Sequence, residues 1–509
     1  MQSYLARGQL EGAQQHLRTL EYSSITPLMT TYTSLIIALI LSASDTPANR
    51  AVAWDLFAHM RLVVYPTPDR ALYNTMILAC ASGPDPSPER ATDLYRELLD
   101  VRERTNDPAY EPNGDTFTAL IRACCRTRRK GEESHYVRGL EYLRQMLDLG
   151  FKPSRKTLHS VLEGAKRVGD LARARWIYLK LVQEGTEDRA MKVNSVSTVL
   201  LFQTYATYKP PRQKDTLFPS RADTDPVAKE EVTNIPASAR SEGDASPLTR
   251  SDTVDFPGPM PLNATQVFDQ AHNLMVRIAV AQGKQLGPVP ETNEDDADIF
   301  TDVELTPFLL NCYLLAVGAH SPFAKALPIH QTLFASCGVE KDGHSYKTTM
   351  EFCETPRNKA AGLAAAREFF QEWQTWSQAQ ESTGNTQAEA VWSSMIRNLA
   401  RNKLVDEALD LVVQFREAYP AEQSLHLTQE RINAKLNLPA SKVHLANPIY
   451  PETASIKAEA PMLVWSDLTP LHKALADRED QAGLRKLTKV LRTYRKAANQ
   501  STIALRRAG

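Results

Sequence analysis

Apolar positions in this chain recur at helical spacing in short paired runs, and the pairs themselves repeat. The segment Trp392 to Val413 is one such helical hairpin, and weaker copies of it run along most of the sequence. Eight positions open the first helix of a pair: Tyr32, Tyr73, Phe117, Leu158, Thr198, Leu310, Tyr346 and Trp392. In each clear unit the first helix carries apolar residues at i, i+3 and i+4, as in Tyr73, Met76, Ile77 and Cys80. The second helix carries Ala-x-x-Leu/Ile followed by an aromatic residue, as in Ala53 to Phe57, Ala91 to Tyr95 and Ala174 to Tyr178. The small Ala lets the two helices approach, and the large residues fill the space to the next hairpin. The predicted fold is all-α: an α-solenoid of stacked helix-turn-helix repeats with disordered insertions and a C-terminal helical cap. Such an array offers an extended binding surface rather than one core around a reaction centre.

Seams between units are rich in turn residues, as at Pro66-Thr67-Pro68-Asp69, Glu111-Pro112-Asn113-Gly114 and Gly150-Phe151-Lys152-Pro153-Ser154. Gly stops one helix, and Pro or Asp starts the next. Residues 1–208 are expected to form an N-terminal solenoid. A disordered insertion follows at 209–262, poor in apolar residues and rich in Pro, Ser, Thr, Asp and Lys. It separates a first helix around Leu200 to Phe202 from its second, Val267 to Met275. A second solenoid covers 263–436 with an acidic loop at 283–304, an extended linker covers 437–464, and a basic helical cap covers 465–509. That cap is expected as two helices, Ser466 to Asp477 and Gln481 to Ala498. At the other end, Ala6 to Leu17 resembles the second half of a hairpin, so Gln2 to Leu5 are the remnant of a first helix or an upstream segment is missing.

A net charge of −1 hides uneven placement. Between Arg102 and Lys180, 17 Lys/Arg face 10 Asp/Glu, and between Trp465 and Gly509 the ratio is 10 to 4. No apolar run approaches the roughly 18 residues of a membrane span, and no targeting peptide is visible. The six cysteines include no CxxC pair. Cys80, Cys124 and Cys353 each lie six residues after an equivalent repeat position and read as reduced core thiols. No Gly-rich phosphate loop, His-x-x-x-His spacing or nucleophile elbow is present, so no enzyme, cofactor or metal is expected. The cluster Asp295, Asp296, Asp298 and Asp302 mimics a metal-nuclease site but sits in a stretch with no apolar framework to hold it rigid.

Tyr73-Asn74-Thr75-Met76-Ile77, Tyr32-Thr33-Ser34-Leu35-Ile36 and Phe117-Thr118-Ala119-Leu120-Ile121, with seams such as Gly150 to Ser154, resemble the pentatricopeptide-repeat family. The resemblance covers about Gln2 to Tyr208 and Asn263 to Tyr419. The structural competitor, the protein-binding tetratricopeptide family, expects a Trp…Leu-Gly…Tyr pattern that is absent. The resemblance implies that each repeat reads one RNA base through the residue after the opening aromatic and the last residue of the closing turn. The implied pairs are Thr33 with Asp69, Asn74 with Asn113, Thr118 with Ser154, and Asn311 with Asp342. His159 and Lys347 depart from the usual types. The same residues also suit helix capping and turn formation.

Eight residues beyond the readout position lie Arg126, Arg167 and Arg401, which would form a basic rung for RNA phosphates. Arg122 and Lys166 thicken it, together with Arg128, Arg129 and Lys130. The alternative is that these cations complement helix C-terminal dipoles. The C-terminal run Arg485, Lys486, Lys489, Arg492, Arg495 and Lys496 has amphipathic helical spacing and suits RNA, a ribosome surface or a solvated cap. The resemblance implies a sequence-selective single-stranded RNA-binding protein in the mitochondrial matrix, with a transcript or rRNA as partner and the mitochondrial ribosome as a further one. The alternatives are a ribosome-associated protein scaffold and, more remotely, a nuclease.

Overall fold

The computed structural model describes residues 2–23, 26–41, 47–82, 86–127, 133–211, 260–286, 299–355, 359–379, 387–420 and 461–508. These residues form twenty α-helices and no strand. They divide into two compact units, Met1–Val193 and Asn194–Gly509.

The first unit contains α1 (Gln2–Ala6), α2 (Leu10–Tyr22), α3 (Met29–Leu41), α4 (Pro47–His59), α5 (Arg70–Cys80), α6 (Pro88–Thr105), α7 (Gly114–Cys125), α8 (Glu133–Asp148), α9 (Arg155–Val168) and α10 (Leu171–Glu187). Each first helix packs on the first helix of the next hairpin, α3 on α5, α5 on α7 and α7 on α9, and also on its own second helix. This is the stacking of a solenoid. The openers are its pegs: Tyr32, Tyr73 and Leu158 are fully buried, and Phe117 nearly so. Each such side chain contributes about 1.5–3 kcal/mol on leaving water. Small residues set the helix spacing. A Cβ on Gly164 of α9 would lie 2.7 Å from the Tyr136 ring of α8, so that approach requires glycine.

The second unit contains α11 (Ser195–Thr207), α12 (Ala264–Ala281), α13 (Pro307–His320), α14 (Phe323–Cys337), α15 (Gly343–Phe352), α16 (Lys359–Ala379), α17 (Ala388–Arg401), α18 (Val405–Ala418), α19 (Thr469–Asp477) and α20 (Gln481–Ala508). Here α11, α13, α15, α17 and α19 stack in order, and α20 packs on α18 as α19 packs on α17. The final pair therefore continues the stack as one more hairpin. Its apolar face, with Leu487, Val490 and Tyr494, is buried. Tyr494 lies 5.9 Å from the Phe415 ring and donates to the Tyr419 carbonyl at 2.6 Å.

Several expected boundaries fall elsewhere. The units part at Val193, so α11 belongs with the second unit because its apolar face packs on α13. Helix α20 runs to Ala508, ten residues beyond the expected end. The end of the expected linker packs: Met462, Leu463 and Val464 are buried, and Met462 N donates to Glu389 at 3.2 Å. The acidic loop likewise ends in packed residues, Phe300 and Val303, whose apolar side chains the charge count obscured. Of the insertion at 209–262, residues 212–259 lie outside the described residues. Its edges meet where the Tyr208 hydroxyl donates to the Pro261 carbonyl at 3.0 Å. Also outside are Asp295, Asp296 and Asp298, the basic run Arg128 to Lys130, and all of 421–460. All six cysteines are buried thiols, and burial pushes those of Cys80, Cys124 and Cys353 up to about 12.

Candidate nucleic-acid interface

The two residues expected to share a base come from consecutive hairpins, and the stack brings them together. The second of each pair is the N-cap of a first helix. Asp69, Asn113, Ser154 and Asp342 accept from the backbone N–H of Leu72, Thr116, Thr157 and Ser345, three residues on. Asn113 and Asp342 form full capping boxes. Such a cap contributes about 1 kcal/mol, so the capping explanation of these residues holds as far as it goes.

Their contacts with the preceding repeat go further. Asn74 Nδ2 donates to Asn113 Oδ1 at 3.1 Å, and the Thr116 hydroxyl sits 2.7 Å from Asn74 Oδ1. Asn311 Nδ2 donates to Asp342 Oδ1 at 3.4 Å. Thr118 reaches Ser154 through Thr157, hydroxyl to hydroxyl at 2.8 and 2.9 Å. Between Thr33 and Asp69 there is no such bridge among the described residues; Thr33 is 7% exposed and its hydroxyl has no hydrogen-bond partner. Asn311, 4% exposed, leaves its Oδ1 without a partner, and so does Ser393 its hydroxyl at the same register in α17. One repeat position thus holds three orphaned buried polar atoms. Each costs about 1–3 kcal/mol if left unsatisfied.

The caps sit four residues before the opener, and that spacing also picks out Asn194 and Thr306, which accept from Ser197 and Leu309. Sequence reasoning missed both, although the openers Thr198 and Leu310 were in hand. Burial holds the His159 imidazole down to about 4, so it is neutral at physiological pH.

The arginines expected as a phosphate rung also hold neighbouring repeats together. Each sits at the end of a first helix and reaches back to the end of the preceding one. Arg126 donates to the Ala81 carbonyl at 3.1 Å, Arg167 to those of Cys125 and Thr127 at 3.0 Å, and Arg401 to that of Glu354 at 3.0 Å. His320 meets the Tyr205 carbonyl at 2.7 Å, and Arg478 donates to that of Lys403 at 2.7 Å. Helix ends leave carbonyls without intrahelical donors, and a cation there also answers the dipole. The cations complement helix ends as the alternative held, but the ends belong to the neighbouring repeat.

Carboxylates complete these hooks. Glu163 lies 2.9 Å from Arg167 and 3.8 Å from Arg126. Glu354 holds Arg397 in a fork at 2.7–3.0 Å and Arg401 at 2.9 Å. Arg126, Arg167 and Arg401 keep 26%, 17% and 37% of their side-chain surface exposed. Lys166, expected beside them, is 3% exposed, which withdraws its ammonium from any surface-bound strand. Arg122 is half-buried. Among the described residues no group of three or more His, Cys, Asp or Glu side chains is placed to hold a metal ion.

Paired helices stacked in register, with recurrent polar pairs between consecutive first helices, define a helical-hairpin repeat protein. Residues 390–418, the hairpin α17–α18, match the PPR repeat model. The α17–α18 hairpin is therefore a match to a pentatricopeptide repeat, set within a stack of like hairpins. A stretch of 184 residues is 26% identical to the mitochondrial 15S rRNA processing factor CCM1 of Candida albicans and 23% identical to that of Candida tropicalis. It covers 36% of this chain but 21% of each relative, so the matched stretch spans less than a quarter of their length. The pentatricopeptide repeat protein PPR10 from maize aligns over 98% of this chain and 59% of its own, at 16% identity and a TM-score of 0.41.

Proposed function

We propose that this protein binds single-stranded RNA with base selectivity and acts in mitochondrial RNA processing, stability or translation, in the matrix. Each repeat offers one base two side chains, the residue after the opener and the cap of the next first helix: Thr33 with Asp69, Asn74 with Asn113, Thr118 with Ser154, and Asn311 with Asp342. The observation that carries the reading is the recurrence of polar side-chain pairs between consecutive first helices, Asn74 with Asn113, Thr118 with Ser154 through Thr157, and Asn311 with Asp342. A base edge bringing donors and acceptors to those pairs would hydrogen-bond with them. In the free protein the Asn74–Asn113 bond holds the two amides beside each other, ready to exchange that bond for a base. The exposed edges of Arg126 and Arg401 supply charge toward phosphates, while Lys166 takes no part. The likeness of 184 residues to rRNA processing factors supports an rRNA or a mitochondrial transcript as the partner.

Asn74→Ala tests this. Binding to a randomised single-stranded RNA pool, followed by sequencing, should show relaxed preference at one nucleotide position, with a loss of about 1–3 kcal/mol for the preferred base there. A uniform loss across all sequences, or none, would count against base reading by this pair.

A further inference from the structure

We infer that the outward face of α20 is a second RNA contact, one that grips phosphodiester backbone without regard to sequence; this rests on the RNA-binding reading above. Arg485, Lys489 and Arg492 are spaced i, i+4 and i+7 and share one side of the helix, with Lys486 beside them. All four are exposed. Among the described residues no carboxylate pairs with any of them, whereas Arg126, Arg167, Arg397 and Arg401 each lean on a glutamate. With Thr488, three of them share one open stretch of the helix surface. The rise along the helix from Arg485 to Lys489 is about 6 Å and from Lys489 to Arg492 about 4.5 Å, a file of charge suited to successive phosphates on one strand.

The rest of the helix narrows the choice of partner. Its apolar side, Leu487, Val490 and Tyr494, is already buried in the fold, so it has nothing left to sink into a bilayer. No large apolar side chain between 481 and 494 is exposed, so the face lacks the anchors on which protein interfaces depend. It presents no Asn or Asp between Arg485 and Arg492 with which to read a base edge. What remains is positive charge and threonine hydroxyls, which suit phosphate oxygens.

The test compares the full chain with its Arg485→Ser/Lys489→Ser/Arg492→Ser variant by fluorescence anisotropy. Two single-stranded RNA probes of unrelated sequence are titrated across KCl from about 50 to 200 mM. The variant should bind both probes on the order of tenfold more weakly, with a salt slope shallower by about 2 and an unchanged thermal melt. If the parent binds both probes and the variant matches it in affinity and slope, the α20 contact is overturned while base reading elsewhere stands. A loss confined to one probe overturns it too, because the contact would then read sequence. Polyglutamate bound by the parent and not by the variant, with RNA affinity unchanged, would reassign the face to an acidic protein. Failure of the parent to bind either probe would remove the reading on which the inference rests, and the inference with it.

Discussion

At the residue scale, the polar positions do two jobs at once. Asn113 closes the start of α7 and holds Asn74 of the preceding repeat. The resemblance gave the pairs, but not that they touch, because a cap and its cross-repeat partner are some forty residues apart. Thr33 and Asn311 were legible as candidates, yet their burial was not, since it depends on neighbours packed from other hairpins. One half-buried carboxyl was not singled out from sequence at all. Glu351 in α15 is raised to about 7, first by burial and also by the nearby Glu354, against opposing effects of Lys347 and Arg397. A carboxyl whose pKa is raised by folding stabilises the fold while protonated. That contribution is complete below the unfolded value near 4.5 and is lost as pH rises through 7. Glu351→Gln should therefore raise the stability of the second unit at pH 8 by roughly 1–3 kcal/mol and leave it nearly unchanged at pH 4, as thermal melts at the two pH values would show.

At the element scale, the first helices were the most legible part of the chain. Their openers are buried and nearly all large, so the pattern of Tyr73, Met76 and Ile77 needs no partner information to be seen. Insertion edges and the α20 end were less so, because apolar residues such as Phe300 and Met462 are few among charged or Pro-rich neighbours. The hooks were legible only as arginines. Their acceptors are backbone carbonyls, which carry no signature in the sequence. Arg167 serves two carbonyls at the end of α7 and pairs with Glu163 at 17% side-chain exposure. Arg167→Ala should cost roughly 2–4 kcal/mol, by stranding those carbonyls and a half-buried carboxylate. Urea unfolding gives the magnitude, and hydrogen exchange should show faster opening at the end of α7. An unchanged midpoint would mean that the hook contributes nothing to the stack.

For the whole molecule, stability is built from neighbour contacts, as expected of a repeat array. The α19–α20 hairpin covers the last first helix and second helix, so it stands in the place of another repeat. Ending the chain before residue 461 should uncover α17 and α18, with Phe415 losing the Tyr494 ring. The truncated protein should melt earlier and associate through the bared face, as seen by calorimetry and light scattering. Equal melting and a monomeric product would show that the terminal hairpin is dispensable.

The hooks all point the same way along the chain, from a later residue to an earlier carbonyl. Ala81 waits 45 residues for Arg126, Cys125 waits 42 for Arg167, and Glu354 waits 47 for Arg401. A polypeptide emerging amino end first therefore presents each hairpin with its trailing rim unsealed, and the next hairpin to emerge closes it. Maturation acquires a clock set by the rate of emergence, and a pause within any one repeat leaves its predecessor, and no other, open.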